Sequence, residues 1–362
     1  MKSIDELLSK VKAANASDLH LKVGSPPVIR IDGELVLLDE PVCSPEDTKD
    51  YAASLMSEKQ IRHFSDTNEI DFAYSASNIG RYRVNVYRQR GTISIALRQV
   101  VTHVPSFEEL NLPPVLQKLS LEPRGMVLVT GATGSGKTTT LAAMIDHINK
   151  HLRKHIVTIE DPIEILHQDH KCIVNQREVG LDTENYASAL KYVLRQDPDI
   201  ILIGEMRDQE TVRTALTAAQ TGHFVMSTLH TIDVTETINR IIDFFPLFQQ
   251  KQVRIMLAGS LRGIISQRLL PRRDGTGRVP AVEVMCMTGR IRDMILDPAQ
   301  THNILTAIGE GDFYGMRTFD QSLLDLYERD LVTIEDAMAV ATSPHDFRLL
   351  VEAHGHQIPI LD

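Results

Sequence analysis

The eight residues Gly131-Ala132-Thr133-Gly134-Ser135-Gly136-Lys137-Thr138 read G-x-x-x-x-G-K-[ST], and they restrict the fold more than any other stretch of the chain. A loop of this kind works only between a strand that runs into it and a helix that leaves it. The glycines let successive backbone N–H groups turn inward around phosphate oxygens. Both neighbours are present. Gly125-Met126-Val127-Leu128-Val129-Thr130 reads as a buried strand, and Thr139 to Asn149 as a helix with Leu141, Met144, Ile145 and Ile148 on one face. Lys137 places a point charge on the terminal phosphates, and the Thr138 hydroxyl is a natural Mg²⁺ ligand. The expected phosphate-binding set is Gly131, Thr133, Gly134, Ser135, Gly136, Lys137, Thr138 and Thr139.

From residue 124 onward, apolar strands alternate with helices, with strands expected at 125–130, 155–160, 199–203 and 223–228. That alternation predicts an α/β core at 121–290 with a mostly parallel sheet. The pattern before it differs. A short amphipathic helix over 3–14 leads to a strand beginning at Ser17-Asp18-Leu19-His20-Leu21. Val28-Ile29-Arg30-Ile31 before Asp32-Gly33 suggests a hairpin. Ser44-Pro45 reads as a helix cap, and 81–87 and 93–98 as paired strands around Arg90-Gly91. Residues 1–100 are thus expected to form a small α+β domain. The proline-bearing stretch 101–120 is expected to be a linker ending in a short helix, and 291–362 a C-terminal helical region.

Bulk properties exclude some functions. The formal net charge of −10 argues against a general nucleic-acid binder, whose footprint is usually basic. Cys43, Cys172 and Cys286 are isolated, which disfavours a zinc site and a disulfide framework. No apolar run approaches the length of a membrane span, and the N-terminus carries no secretory signal pattern. A reducing, cytoplasmic compartment is expected.

A P-loop enzyme also needs an acid for the metal and a group that positions water. Ile200-Ile201-Leu202-Ile203 ends in Gly204-Glu205, placing an acid where a strand finishes beside the phosphates; the bland alternative is a solvated glutamate. Ile156-Val157-Thr158-Ile159 leads into Glu160-Asp161-Pro162-Ile163-Glu164. Three carboxylates in five residues raise one another's pKa and can suit a general base, unless the loop is merely acidic and solvated. His223 and His230 flank Phe224 to Leu229 and could sense a γ-phosphate or be structural; their separation does not suit a shared metal. Arg81, Arg83, Arg88, Arg90 and Arg98 crowd two strands, either as an exposed basic face or as arginine fingers reaching over a nucleotide.

In this order the motifs resemble the type II/IV secretion ATPase superfamily, and within it the retraction ATPases of type IV pili. Ser17-Asp18-Leu19-His20-Leu21 is like the opening of the family's PAS-like N-terminal domain. Thr158 to Glu164 is similar to its Asp box, Gly204-Glu205-Met206-Arg207-Asp208 to its atypical Walker B motif, and Thr221-Gly222-His223 through His230-Thr231 to its His box. The resemblance implies a RecA-like core, ATP as substrate with Mg²⁺ held by Thr138 and Glu205, and Glu164 as the base that polarises water. It further implies that His230 and His223 link nucleotide state to a subunit interface, and that Arg83 and Arg98 act as γ-phosphate arginines. It implies a homohexameric motor at the cytoplasmic face of the inner membrane, working on a platform protein and through it on the pilin fibre. Gly289 to Ile295 is similar to the A-I-R-N-L-I helix associated with retraction, with Arg290 and Asp293 departing from it. Val174 to Gly180 fits an accessory retraction ATPase as well. Assembly ATPases of the superfamily and a RecA-type nucleic-acid motor are the rival expectations.

Overall fold

The computed structural model describes residues 2–31, 33–77, 79–100 and 103–356. Asp32 of the expected hairpin turn, residues 101–102 of the expected linker and residues 357–362 of the C-terminal region lie outside them. The chain divides into two compact units, Met1–Thr102 and His103–Asp362.

The first unit is a six-stranded antiparallel sheet with helices. Its strands are β1 (Asp18–Lys22), β2 (Val28–Ile31), β3 (Glu34–Leu37), β4 (Glu69–Ala76), β5 (Gly80–Gln89) and β6 (Thr92–Gln99), in the order β3-β2-β1-β6-β5-β4. Three helices accompany them: α1 (Ile4–Ala13), α2 (Pro45–Leu55) and α3 (Glu58–Thr67). Each starts at a serine, Ser3, Ser44 or Ser57, whose hydroxyl accepts the third helical N–H while the side chain at that position reaches back. Ile4, Leu7, Leu8 and Val11 of α1 join Leu19, Leu21, Tyr82, Val84, Val86, Ile95 and Leu97 in one core. Alternation along β5 sends Tyr82, Val84 and Val86 inward and leaves Arg83 exposed. The tight turn between β5 and β6 needs positive φ at both Arg90 (51°) and Gly91 (81°), which fits a two-residue hairpin loop.

The second unit is built on seven strands in the order β13-β12-β7-β11-β10-β8-β9. These are β7 (Gly125–Thr130), β8 (His155–Glu160), β9 (Ile173–Glu178), β10 (Ile200–Ile203), β11 (Phe224–Leu229), β12 (Leu261–Pro271) and β13 (Arg278–Cys286). Neighbours from β12 to β9 run parallel, and β13 adds an antiparallel edge. Helices cover both faces, as a parallel sheet requires. On one face α4 (Val115–Ser120) and α5 (Lys137–His151) pack with Phe107 and Leu112 against Val127, Val129, Leu202 and Met226. From residue 103, the stretch expected as a linker is therefore part of this core. On the other face lie α6 (Tyr186–Val193), α7 (Gln209–Gln220), α8 (Val234–Asp243) and α9 (Leu247–Ser260). The chain continues through α10 (Gly289–Leu296), α11 (Ile304–Gly309), α12 (Phe319–Glu328), α13 (Ile334–Val340) and α14 (Pro344–Ala353). Phe319, Leu323, Val332 and Phe347 of this last region cover Leu270, Val279 and Ala281 of the β12–β13 pair.

One buried acid ties β13 to the start of α8. Glu283 is 2% exposed, and its Oε1 accepts the Val234 N–H at 2.9 Å. Burial pushes its carboxyl up to about 7. The Val234 N–H and the Arg268 guanidinium oppose that rise, while Asp233 and Asp320 add to it. The folded protein therefore holds a proton here that the unfolded chain releases. Stability attributable to Glu283 falls as pH rises from about 4.5 to about 7. Glu283→Gln keeps an acceptor for Val234 and removes the ionisation. Its stability relative to wild type is expected to rise across that window, by up to the order of 3 kcal/mol, read from thermal melts at each pH. A constant difference between pH 4.5 and 7.5 would contradict the assignment.

Candidate active site

The P-loop leaves the C-terminal end of β7, the edge of a parallel sheet where loops from neighbouring strands converge. At Gly131 φ is +141°, and a Cβ there would lie 2.5 Å from the Gln267 carbonyl oxygen and 2.5 Å from Ser135 Oγ. Only glycine fits that approach. Gly136, at φ +92°, is the N-cap of α5 and turns the backbone so that Lys137 opens the helix. The loop's amide groups and the helix N-terminus together face a cavity of about 560 Å³.

Lys137 Nζ donates to the carbonyls of Gly131 (2.8 Å) and Ala132 (3.0 Å). Burial lowers its pKa, and the nearby carboxylates of Glu205 and Glu164 work against that. The ammonium is thus held by acceptors weaker than a phosphate oxygen, with two acids in range. Thr133, Gly134, Gly136, Thr138 and Thr139 border the same cavity. Gly131 and Ser135 line a second cavity on the other side of the loop, and the buried Ser135 Oγ has no hydrogen-bond partner there.

Four acids, Glu160, Asp161, Glu164 and Glu205, reach the large cavity from the ends of β8 and β10, and the three glutamates differ sharply in surroundings. Glu164 is exposed and, among the described residues, makes no side-chain hydrogen bond or ion pair. Glu160 is 9% exposed and accepts from Thr158 Oγ1 (2.6 Å) and Gln176 Nε2 (2.9 Å). Its carboxyl is pushed up mainly by burial. The crowding by Glu164 expected from the sequence is a smaller contribution, as is that by Glu178, which the sequence reading did not include. Glu205 follows Gly204 at the end of β10. Burial raises its carboxyl, but Arg207 Nη2 at 2.7 Å and His230 Nε2 at 3.2 Å hold it below the usual range overall. Gly204 leaves little room for a side chain: a Cβ there would sit 2.8 Å from the Tyr186 hydroxyl and 3.2 Å from the Ile159 carbonyl oxygen. Burial beside Asp161 pushes that hydroxyl's pKa up.

Mg²⁺ beside a nucleotide keeps several waters and phosphate oxygens, so it needs one or two protein ligands. The Thr138 hydroxyl and the Glu205 carboxylate border one cavity, which fits that requirement.

His230 stands in this cavity at the C-terminal end of β11, whereas His223 precedes the strand. The six residues between them span roughly 20 Å. His223 Nδ1 lies 3.0 Å from the Ala218 carbonyl, at the far edge of the sheet. It is therefore not brought to the phosphate site. Arg83 and Arg98 face each other in register on β5 and β6 of the first unit. Arg83 is exposed, and Arg98 Nε donates to Asp18 Oδ1 at 2.7 Å. Sequence reasoning gave no role to Arg207, Tyr186 or Gln176. Arg207 sat within a quoted motif, but neither its ion pair nor the burial of Tyr186 has a local signature.

The family model described as type II/IV secretion system protein matches residues 1–292. The chain belongs to that family. Among relatives of this secretion protein, the type IV pilus retraction ATPase PilT of Pseudomonas aeruginosa is 44% identical over 344 residues, covering 95% of this chain and 99% of that one. The type IV pilus ATPase PilU of the same organism is 42% identical over 348 residues, covering 96% and 91%. A crystal structure of the pilus retraction motor PilT with bound ADP superposes with a TM-score of 0.87 at 46% identity, covering 96% of this chain and 99% of that one. The mixed α/β architecture with its parallel sheet is thus the architecture of this family. Among the described residues no helix is long and apolar enough to cross a membrane.

Proposed function

We propose that this secretion-family ATPase is the motor that drives retraction of type IV pili. One observation carries the reading: Lys137, Glu164 and Glu205 border a single cavity, in a chain alike over nearly its whole length to PilT and PilU. In this scheme the P-loop amides and Lys137 bind the β- and γ-phosphates, and Thr138 and Glu205 hold Mg²⁺. The ion supplies charge neutralisation on the phosphates when bound. Glu164 orients water and accepts its proton as phosphoryl transfer proceeds. His230, in contact with Glu205, passes the state of the γ-phosphate toward a subunit boundary. The protein works as a homohexamer on an inner-membrane platform protein, and so on the pilin fibre, from the cytoplasmic face.

Arg83 serves as a γ-phosphate arginine, with Arg98 beside it. Arg83→Ala is expected to lower kcat about 10- to 100-fold, the worth of one charged hydrogen bond formed in the transition state. It should leave the melting temperature unchanged, because its side chain is exposed. Arg98→Ala should lower both, since Asp18 would lose its partner. Equal kcat for wild type and Arg83→Ala would remove Arg83 from the site.

The decisive test combines a phosphate-release assay on the purified chain with deletion of its gene. Mg²⁺-dependent turnover by a hexamer, together with surface pili that persist but no longer retract, is the expected result. Loss of pili would assign the protein to assembly instead. The similarity to PilU supports one second reading, an accessory retraction ATPase. In that case pili would still retract after deletion, with reduced force.

A further inference from the structure

An acid that serves a metal ion must be held at a fixed place relative to the phosphates, and Glu205 lies just beyond the point where its strand ends. β10 stops at Ile203, which is in register with Ser227 of β11. The residues on either side of Glu205 carry the support instead. Gly204 N–H donates to the Ile159 carbonyl of β8 at 2.8 Å. The Gly204 carbonyl accepts from Thr228 Oγ1 at 2.6 Å. Met206 N–H donates to the Thr228 carbonyl at 3.2 Å, and the Met206 side chain is buried in the core on the α6–α9 face of the sheet. Thr228 therefore grips the residue before Glu205 with its hydroxyl and the residue after it with its carbonyl. Glu205 is the one residue between these two holds, and it borders the large cavity. Looping a residue out of a strand pairing in this way re-aims its side chain.

The hydroxyl at this position has no other evident purpose. β11 is buried along its whole length, and Thr228 is 7% exposed. A valine has nearly the same shape and suits such a strand, whereas a buried hydroxyl is costly unless bonded. Its single proton goes to the Gly204 carbonyl. Thr228 also sits in register with Val129 of β7, two residues before the P-loop. The hold on Glu205 is thus tied to the strand that carries Lys137 and Thr138.

We propose that Thr228 is the positioning residue of the metal acid: it fixes the Gly204–Met206 turn and thereby keeps the Glu205 carboxylate in the cavity that Thr138 borders. The proposal rests on the assignment of Glu205 to Mg²⁺ made above. Thr228 acts through Glu205 and touches neither ion nor nucleotide itself.

The test is calorimetric titration of the full-length protein with ADP, once with Mg²⁺ and once in EDTA. The ratio of the two affinities reads the contribution of the metal without any turnover. Thr228→Val is expected to reduce that ratio about tenfold, the usual cost of losing a partner that orients a metal ligand, and to leave ADP in EDTA within about twofold of wild type. Thr228→Ser restores the hydroxyl and should bring the ratio back to within about threefold. Glu205→Gln should collapse the ratio, and adding Thr228→Val to it should cost nothing more, because both changes remove one interaction. Thr228→Ala also lacks the hydroxyl and is read in the same way if the valine variant does not melt as a folded protein. An unchanged ratio in a folded hydroxyl-free variant, or no rescue by serine, would overturn the proposal. Equal weakening in EDTA would make Thr228 a nucleotide contact, and additive losses in the double variant would make it a direct contact of the ion; either overturns it. A wild type that gains nothing from Mg²⁺, or a Glu205→Gln that keeps the gain, brings down the metal assignment and this inference together. A collapsed ratio in Glu205→Gln with a silent Thr228→Val brings down the positioning role alone.

Discussion

Lys137→Ala is expected to reduce ATP turnover by about 10³-fold or more while leaving the fold intact. The magnitude follows from what the side chain faces. Lys137 is the one residue of the P-loop that brings a full positive charge to the phosphates. Its amine is now satisfied only by the Gly131 and Ala132 carbonyls, in a partly desolvated setting that lowers its pKa. Transfer of that amine to a phosphate oxygen improves its partner and relieves the desolvation. Charge stabilisation of this kind grows as charge develops on the transferred group, so its loss appears in kcat as well as in affinity. The fold should not depend on it. Both hydrogen bonds stay within the loop, and removing a half-buried ammonium takes away a desolvation cost. Phosphate release and a thermal melt of the same preparation check both halves. A variant that hydrolyses ATP within tenfold of wild type would show that Lys137 is not the phosphate lysine.

The parts of the second unit that carry this chemistry were legible because of how parallel strands are buried. β7, β8, β10 and β11 are covered on both faces and therefore read as continuous apolar runs, each ending at a motif. The β12–β13 pair escaped notice for the opposite reason. Along β12, Arg262, Gly263, Gln267 and Arg268 break the apolar run, and β13 carries Pro280 and the buried Glu283. Those polar groups are tolerated through long-range partners: Thr140 for Gln267, the Val340 carbonyl for Arg268, the Val234 N–H for Glu283. No local pattern reveals such partners. β9 is an edge strand with mostly polar, partly exposed residues, and α3 buries only Phe64, so neither carries enough apolar residues to stand out. The histidines show the limit of spacing most clearly. Seven residues apart, His223 and His230 look equivalent on paper. Strand direction decides that only the second stands at the edge where the P-loop opens. The acids differ for a similar reason. Their crowding was visible in sequence, whereas the burial that sets Glu160 apart from Glu164, and the Gln176 amide that reaches it from β9, arise only in the folded chain.

That separation of the acids supplies the second large prediction. Glu164→Gln is expected to lower kcat about 10²- to 10⁴-fold, the usual worth of a positioned general base, with ADP affinity within about threefold of wild type. Glu164 is suited to this outcome because it borders the cavity yet holds nothing else in place by hydrogen bond or ion pair among the described residues. Glutamine keeps its shape and removes its charge and its ability to take a proton. The other two acids should give different signatures. Glu205→Gln disturbs the contacts with both Arg207 and His230, so it should weaken Mg²⁺-dependent nucleotide binding along with turnover. Glu160→Gln keeps its volume but alters a buried acceptor bonded to Thr158 and Gln176, so its main effect should be on the melting temperature. Measuring kcat, ADP affinity and melting temperature for all three places each acid on its own axis. If Glu164→Gln turns over ATP at near wild-type rate while Glu160→Gln is inactive and stably folded, the base is Glu160, and its raised pKa is a catalytic property instead of a by-product of burial.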